Sequence, residues 1–184
     1  MKSPSTEHRA AIWKKAPALK QETGETAAPK GATHDEVCNC TVLRKAARRV
    51  SFLYDRALTP SGLRITQHAI LAELGRSGPM TITDLARVMV MERNGLGHNL
   101  RPLEREGLIR MEVGQDRRSR VVVVTKKGHT RLAEARPLWR QGQERFAAVF
   151  GPDQARTLRS LLVTATAAEY GDTAARRGTR SEHP

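Results

Sequence analysis

The stretch "MERNGLGHNLRPLEREGLIR", Met91 to Arg110, decides the fold. Leu96, Leu100 and Leu103 are spaced four and three apart, so on a helix they make one apolar stripe. With successive residues turned by about 100°, Asn94, His98, Arg101 and Arg105 fall on the opposite arc. That arc offers an amide, an imidazole and two guanidiniums, all able to bond base edges or phosphates. A plainer reading is the solvated basic face of an ordinary helix. The same stretch carries Gly95, Gly97 and Pro102, residues that weaken helices. The stripe answers part of this puzzle, because packing of an apolar face supplies most helical stability in a folded protein. The glycines leave the backbone bare in the first turns, where it would run closest to a duplex. Pro102 frees the carbonyl of His98 and either bends the helix along a groove or sits at a tolerated position.

Working outward, Thr81 and Asp84 can cap a short preceding helix with Ile82, Leu85, Ala86 and Met89 inward. Before that, Thr66 can cap a helix through Ile70, Leu71 and Leu74, ended by Gly78-Pro79. Earlier still, Thr33 and Glu36 have capping-box spacing. They precede helical periodicity from Leu43 to Leu58, which Pro60-Ser61-Gly62 ends. After Gly107 the period becomes alternating. "LIRMEVGQDRRSRVVVVT" reads as strand, tight polar turn and strand. In its turn Asp116 can pair with Arg118 while Arg117 points outward, or the two arginines exchange roles; Arg120 is a weaker phosphate candidate. Thr125 can cap a long helix to about Phe150, kinked at Pro137, and Gly151-Pro152 starts a last helix through Leu158, Leu161, Leu162 and Ala165. The expected fold is mainly α with a small β-hairpin wing: a winged helix-turn-helix flanked by N- and C-terminal dimerisation helices.

Charge agrees with a polyanionic partner. The chain of 184 residues has a formal net charge of +13. Between Met91 and Arg131 stand ten Lys or Arg against five Asp or Glu, whereas Thr66 to Val90 has two of each. The excess therefore lies on the helix and the hairpin, with a second cluster in "RKAARR" of the first helix. Aromatic content of 4% argues against a single-strand binder built from stacking platforms. No apolar run is long enough to span a bilayer, and the first residues carry no secretory apolar core, so a cytoplasmic protein without membrane contact is expected.

"TITDLARVMVMERNGLGHNLRPLEREGLIRMEVGQDRRSRVVVVTKKG" resembles the winged core of the MarR (multiple-antibiotic-resistance regulator) family. "DLA", "LEREGLI", "DRR" and a "T-x-x-G" helix start come in order and at the family's spacing, and the likeness extends from about Glu36 to Tyr170. It implies a homodimeric transcription regulator, usually a repressor. A small effector would sit between the dimer interface and the DNA-reading lobe. The organisation expected is a disordered arm over 1–32, a domain over 33–170 and a tail over 171–184. The reading lobe would span about 64–128, with dimerisation helices about 34–59 and 126–170. The sequence departs from the family at Glu92, Asn94 and Gly95, in a short wing turn, and at Lys126 and Lys127, where relatives often carry acidic residues. Lysines there oppose the helix dipole, which leaves a DNA phosphate as one use for them.

The expected DNA-binding set is thus Asn94, Gly95, Gly97, His98, Arg101, Arg105, Arg117 and Arg118, on a pseudo-palindromic double-stranded operator. Trp139, Phe146 and Phe150 are spaced for one apolar face, which suits a homodimer. "THDEVCNC" raises separate readings. His34, Cys38 and Cys40 could hold a soft metal, Cys38 and Cys40 could sense oxidants across a dimer, or both are inert thiols. No catalytic motif or suggestively placed carboxylate pair is present, so neither an enzyme nor a cofactor is expected. The competing class is a winged-helix protein-interaction module, which would not need four arginines on one surface.

Overall fold

The protein, seen as a computed structural model, is described at residues 37–114, 116, 119–168 and 170. The arm, the Thr33–Glu36 cap, His34, Arg117, Arg118 and the tail beyond 170 lie outside the described residues. The chain divides into two units, Met1–Leu43 and Arg44–Pro184.

The first helix, α1, covers Asn39–Leu58 and buries Tyr54, Ala57 and Leu58. It ends as the sequence predicts. Thr59–Ser61 form one tighter turn, and Gly62, at a φ of 73°, donates its N–H back to the Thr59 carbonyl. The left-handed backbone there suits a residue without Cβ. Buried Ser61 is satisfied, its hydroxyl donating to the Leu58 carbonyl at 2.7 Å.

Helix α2, Ile65–Ser77, corrects one expectation. Thr66 lies inside the helix and does not cap it. The free N–H groups of the first turn go instead to Asp55, whose Oδ1 accepts from Ile65 at 2.7 Å, and to Gln67, whose Oε1 accepts from Arg64 at 2.9 Å. A cap supplied by the preceding helix ten residues away is invisible to a local reading. Ile70, Leu71 and Leu74 are buried as expected, and Gly78 ends the helix at a φ of 82°.

The sheet has one strand more than the hairpin. Strand β1, Met80–Thr81, pairs antiparallel with β3, Arg120–Val124, which pairs antiparallel with β2, Ile109–Val113. The order is β1-β3-β2, with Met80 opposite Val122 and Ile109 opposite Val124. Two residues carry no readable period, which is why β1 escapes the sequence. Helix α3, Ile82–Val88, begins directly after β1 with the expected cap: Thr81 Oγ1 accepts the Asp84 N–H at 3.0 Å. Helix α4, Arg93–Arg105, runs unbroken through Pro102. Helix α5, Lys126–Phe150, starts on the Thr125 cap, Oγ1 accepting from Gly128 at 3.1 Å, and runs unbroken through Pro137. Helix α6, Pro152–Ala167, follows Gly151.

The core gathers Leu58, Leu63, the inner face of α2, Leu85, the α4 leucines, Leu108, Ile109, Val122 and Ala135. Trp139 departs from the dimer-face expectation. It packs against this core, its ring stacked on His68 with centroids 5.9 Å apart, while Phe146 and Phe150 stack on each other at 5.3 Å. Burial holds the His68 pKa below the usual imidazole value, which favours the uncharged ring against the indole.

Candidate nucleic-acid interface

The candidate interface is built on α4. Leu96, Leu100 and Leu103 are 0%, 1% and 1% exposed, so three anchors fix the rotation of the helix about its axis. Asn94, His98, Arg101 and Arg105 are all exposed, as the opposite arc requires. Arg101 and Arg105 pair with no described carboxylate, in contrast with Arg87, which is held by Asp84 at 2.8 Å, and Arg110, held by Glu112 at 2.6 Å. Cations left without an internal partner keep their charge available for an external anion.

The short helix before α4 is equally fixed. The Thr81 hydroxyl donates to Asp84 Oδ2 at 2.7 Å, and this bond, ahead of the Arg87 contact, holds the Asp84 pKa below the ordinary carboxylate range. The turn into α4 is closed by the Val90 N–H on the Arg87 carbonyl at 3.1 Å and the Met91 N–H on the Ala86 carbonyl at 2.8 Å. Arg93, the first residue of α4, is exposed and was missed by the sequence argument, because it lies off the arc defined by Arg101 and Arg105. The signal available was its place at a helix N-terminus, where base-reading residues of such helices cluster.

The two glycines sit in open space. A Cβ built on Gly95 or on Gly97 meets nothing within 4 Å. Packing against the described residues therefore does not explain them. Gly97→Ala is expected to raise stability by roughly 0.8–1.0 kcal/mol, the helix-propensity difference, and to weaken specific DNA binding. Thermal melting and a binding titration on one preparation check both signs. A variant that melts higher and binds as tightly as before would make the glycine a tolerated defect.

The far end of α4 is tied to α5. The Lys127 ammonium donates to the Glu106 carbonyl at 2.6 Å, so this lysine caps the C-terminus of α4. That corrects the phosphate expectation for Lys127 and removes the dipole objection: the cation sits where a helix end is negative. Arg131 donates to the Ser61 carbonyl at 2.8 Å and lies 3.8 Å from the Glu106 carboxylate. Thr125 donates its hydroxyl to the Gly107 carbonyl at 2.7 Å. The turn of the hairpin beyond is closed by the Gly114 N–H on the Ser119 carbonyl at 3.1 Å, and Arg120 is exposed on β3.

Cys38 and Cys40 are both exposed. Cys38 stands just before α1, and its thiol pKa is lowered chiefly by the Thr41 backbone N–H, then by the Thr41 hydroxyl and the Cys40 N–H. No group of three or more metal-ligating side chains occurs among the described residues, and none of their helices is long and apolar enough to cross a membrane.

The pattern of the MarR family matches residues 61–119. The chain is 38% identical to the M. tuberculosis transcriptional regulator MosR, solved in complex with DNA, with a TM-score of 0.61 over 71% of this chain and 98% of that one. It is 26% identical to the transcriptional repressor CouR, solved on a 23-mer DNA duplex, with a TM-score of 0.66 over 76% of this chain and 99% of that one. It is also 26% identical over 120 residues to the HTH-type transcriptional regulator YwoH of Bacillus subtilis, covering 65% of this chain and 88% of that protein. With a helix of buried leucines and outward cations, a β-hairpin behind it and these relatives, the chain belongs to the MarR family of DNA-binding transcriptional regulators.

Proposed function

We propose that the protein is a homodimeric repressor that reads a pseudo-palindromic operator through Asn94, Gly95, Gly97, His98, Arg101 and Arg105 of α4, with Arg117 and Arg118 of the wing on the adjacent groove or backbone. The carrying observation is the α4 arc: four exposed polar or cationic side chains set against three fully buried leucines. Such a helix has its reading face oriented before DNA arrives. A repressor is favoured by the likeness to CouR. Dimerisation is supported by apolar side chains left exposed on the outer helices, among them Phe52, Phe150, Leu161 and Val163 at 66%, 46%, 62% and 64%. A second copy covering them would place two reading helices about one turn of DNA apart.

Release from DNA has two candidate signals, a small-molecule effector and oxidation. The exposed thiols with a depressed Cys38 pKa favour oxidation. A peroxide would take two electrons and two protons from two thiols in different protomers. A disulfide forms and the peroxide leaves as two waters.

The test is a mobility-shift titration on the DNA upstream of the protein's own gene, run with light scattering and repeated after peroxide. The expected result is a dimer at micromolar concentration, a specific complex whose affinity falls steeply with salt, and its loss on oxidation with a covalent dimer on a non-reducing gel. A monomer, or binding with no sequence preference, would overturn the reading in favour of an interaction module. Peroxide insensitivity would leave the effector as the release signal.

A further inference from the structure

The turn between α3 and α4 holds a residue that its backbone does not favour. Val90 has a φ of 51°, the one described residue other than glycine with a positive φ. A β-branched residue in that region is an outlier, because its Cβ crowds the backbone. The two bonds that close this turn, Val90 N–H to Arg87 and Met91 N–H to Ala86, are those of a left-handed helix ending, in which this position is ordinarily glycine and sometimes asparagine. The fold gains little from the side chain, which is 73% exposed, while Met89 and Met91 on either side pack against the core. The alternation leaves residue 90 no choice but to point outward, three residues ahead of the first residue of α4.

We propose that Val90 is a specificity-determining residue whose methyl groups pack against the C5-methyl of a thymine at the edge of the groove that α4 enters. The proposal rests on the reading of α4 as the groove-entering helix. Among base edges in the major groove the thymine methyl is the apolar feature, and apolar side chains recognise it by contact. Toward α4 the exposed neighbours Glu92 and Arg93 are polar, and on the α3 side Val88 is also exposed, at 47%, so Val90 at 73% is the more exposed of two apolar side chains at this corner and the nearer to α4. A side chain retained against its backbone preference, outside the core, beside the end of the helix that faces bases, is accounted for by a partner outside the fold.

The experiment uses the full chain and duplexes selected from a random pool by the wild-type protein. Each thymine of the selected site is replaced in turn by deoxyuridine, which lacks the methyl. Wild type, Val90→Gly and Val90→Asn are titrated on every duplex, and both variants are melted. The expected result is one thymine per half-site whose methyl is worth about fourfold in wild-type affinity, the transfer value of one methyl-sized group, and worth nothing in either variant. Val90→Gly should melt about 2–4 °C higher, as relief of a left-handed valine implies for a chain of this size. A uridine profile that is flat in the wild type, or identical in all three proteins, would overturn the proposal while leaving DNA reading by α4 intact. Failure of the wild type to select any sequence would overturn the reading of α4 and this proposal with it.

Discussion

Gly128→Ala will destabilise the protein by about 2–3 kcal/mol, in the range that overpacking a fixed site costs. Gly128 lies in the first turn of α5, and a Cβ there would stand 2.1 Å from the Leu108 carbonyl oxygen and 2.7 Å from a Val124 methyl. Neither neighbour can retreat cheaply. The Leu108 oxygen accepts the Thr125 N–H at 3.0 Å, and Val124 is paired in β3 with Ile109 of β2. Ala is favoured over Gly in a helix by roughly 0.8–1.0 kcal/mol, so the clash must exceed that gain for the sign to hold. A backbone oxygen well inside contact distance ensures that it does. The measurement is thermal melting beside Gly97→Ala, the same substitution in a helix with open space around it. Opposite shifts are expected, a drop of about 5–10 °C for Gly128→Ala and a rise for Gly97→Ala. A Gly128→Ala protein that melts at or above the wild type would mean the α4–β2 turn is soft.

Arg101→Ala will cost operator affinity about 10–100-fold for each half-site, the discrimination that one bidentate arginine–base contact supplies. Arg101 is exposed, partnered by no described carboxylate, and set on α4 opposite the leucine stripe, so no described carboxylate competes for its guanidinium. Arg101→Lys separates charge from geometry, because an ammonium keeps the cation and loses the planar fork. If Arg101 reads a base, the lysine variant binds nearly as poorly as alanine on the selected site and normally on random DNA. If it holds only a phosphate, lysine restores binding, and alanine flattens the salt dependence by about one unit per half-site. Full affinity in Arg101→Ala would remove it from the reading surface.

Legibility from sequence followed the range of each interaction. The Thr81 and Thr125 caps lie within three residues of the N–H groups they accept, and both were readable. The leucine stripe of α4 was readable because its period is set by the helix itself. The cap of α2 was not, since the acceptor is Asp55 on another helix, and Thr66 is a plausible but wrong substitute. Trp139 fits the spacing of Phe146 and Phe150, yet its ring turns to His68, a partner that no periodicity reveals. Lys127 looked misplaced because only its own helix was in view; its actual acceptor, the Glu106 carbonyl, belongs to the end of another. The strained φ of Val90 is likewise a property of the folded turn and not of the string "VMVME".

The clamp at the start of α5 has a mechanical consequence. Lys127, Arg131 and the Thr125 hydroxyl join that end to Glu106, Ser61 and Gly107. The helix is 25 residues long, so it is a rod of about 37 Å. Tilted by about 3° around its distant end, a rod of that length carries its clamped end through about 2 Å. The last turn of α4, fastened there by its own terminal carbonyl, travels with it. A displacement of that size is most of the distance over which a guanidinium either meets a base edge or misses it. A change in the angle of α5 at its far end would thereby be carried to the end of the helix that holds Arg101 and Arg105, without touching either.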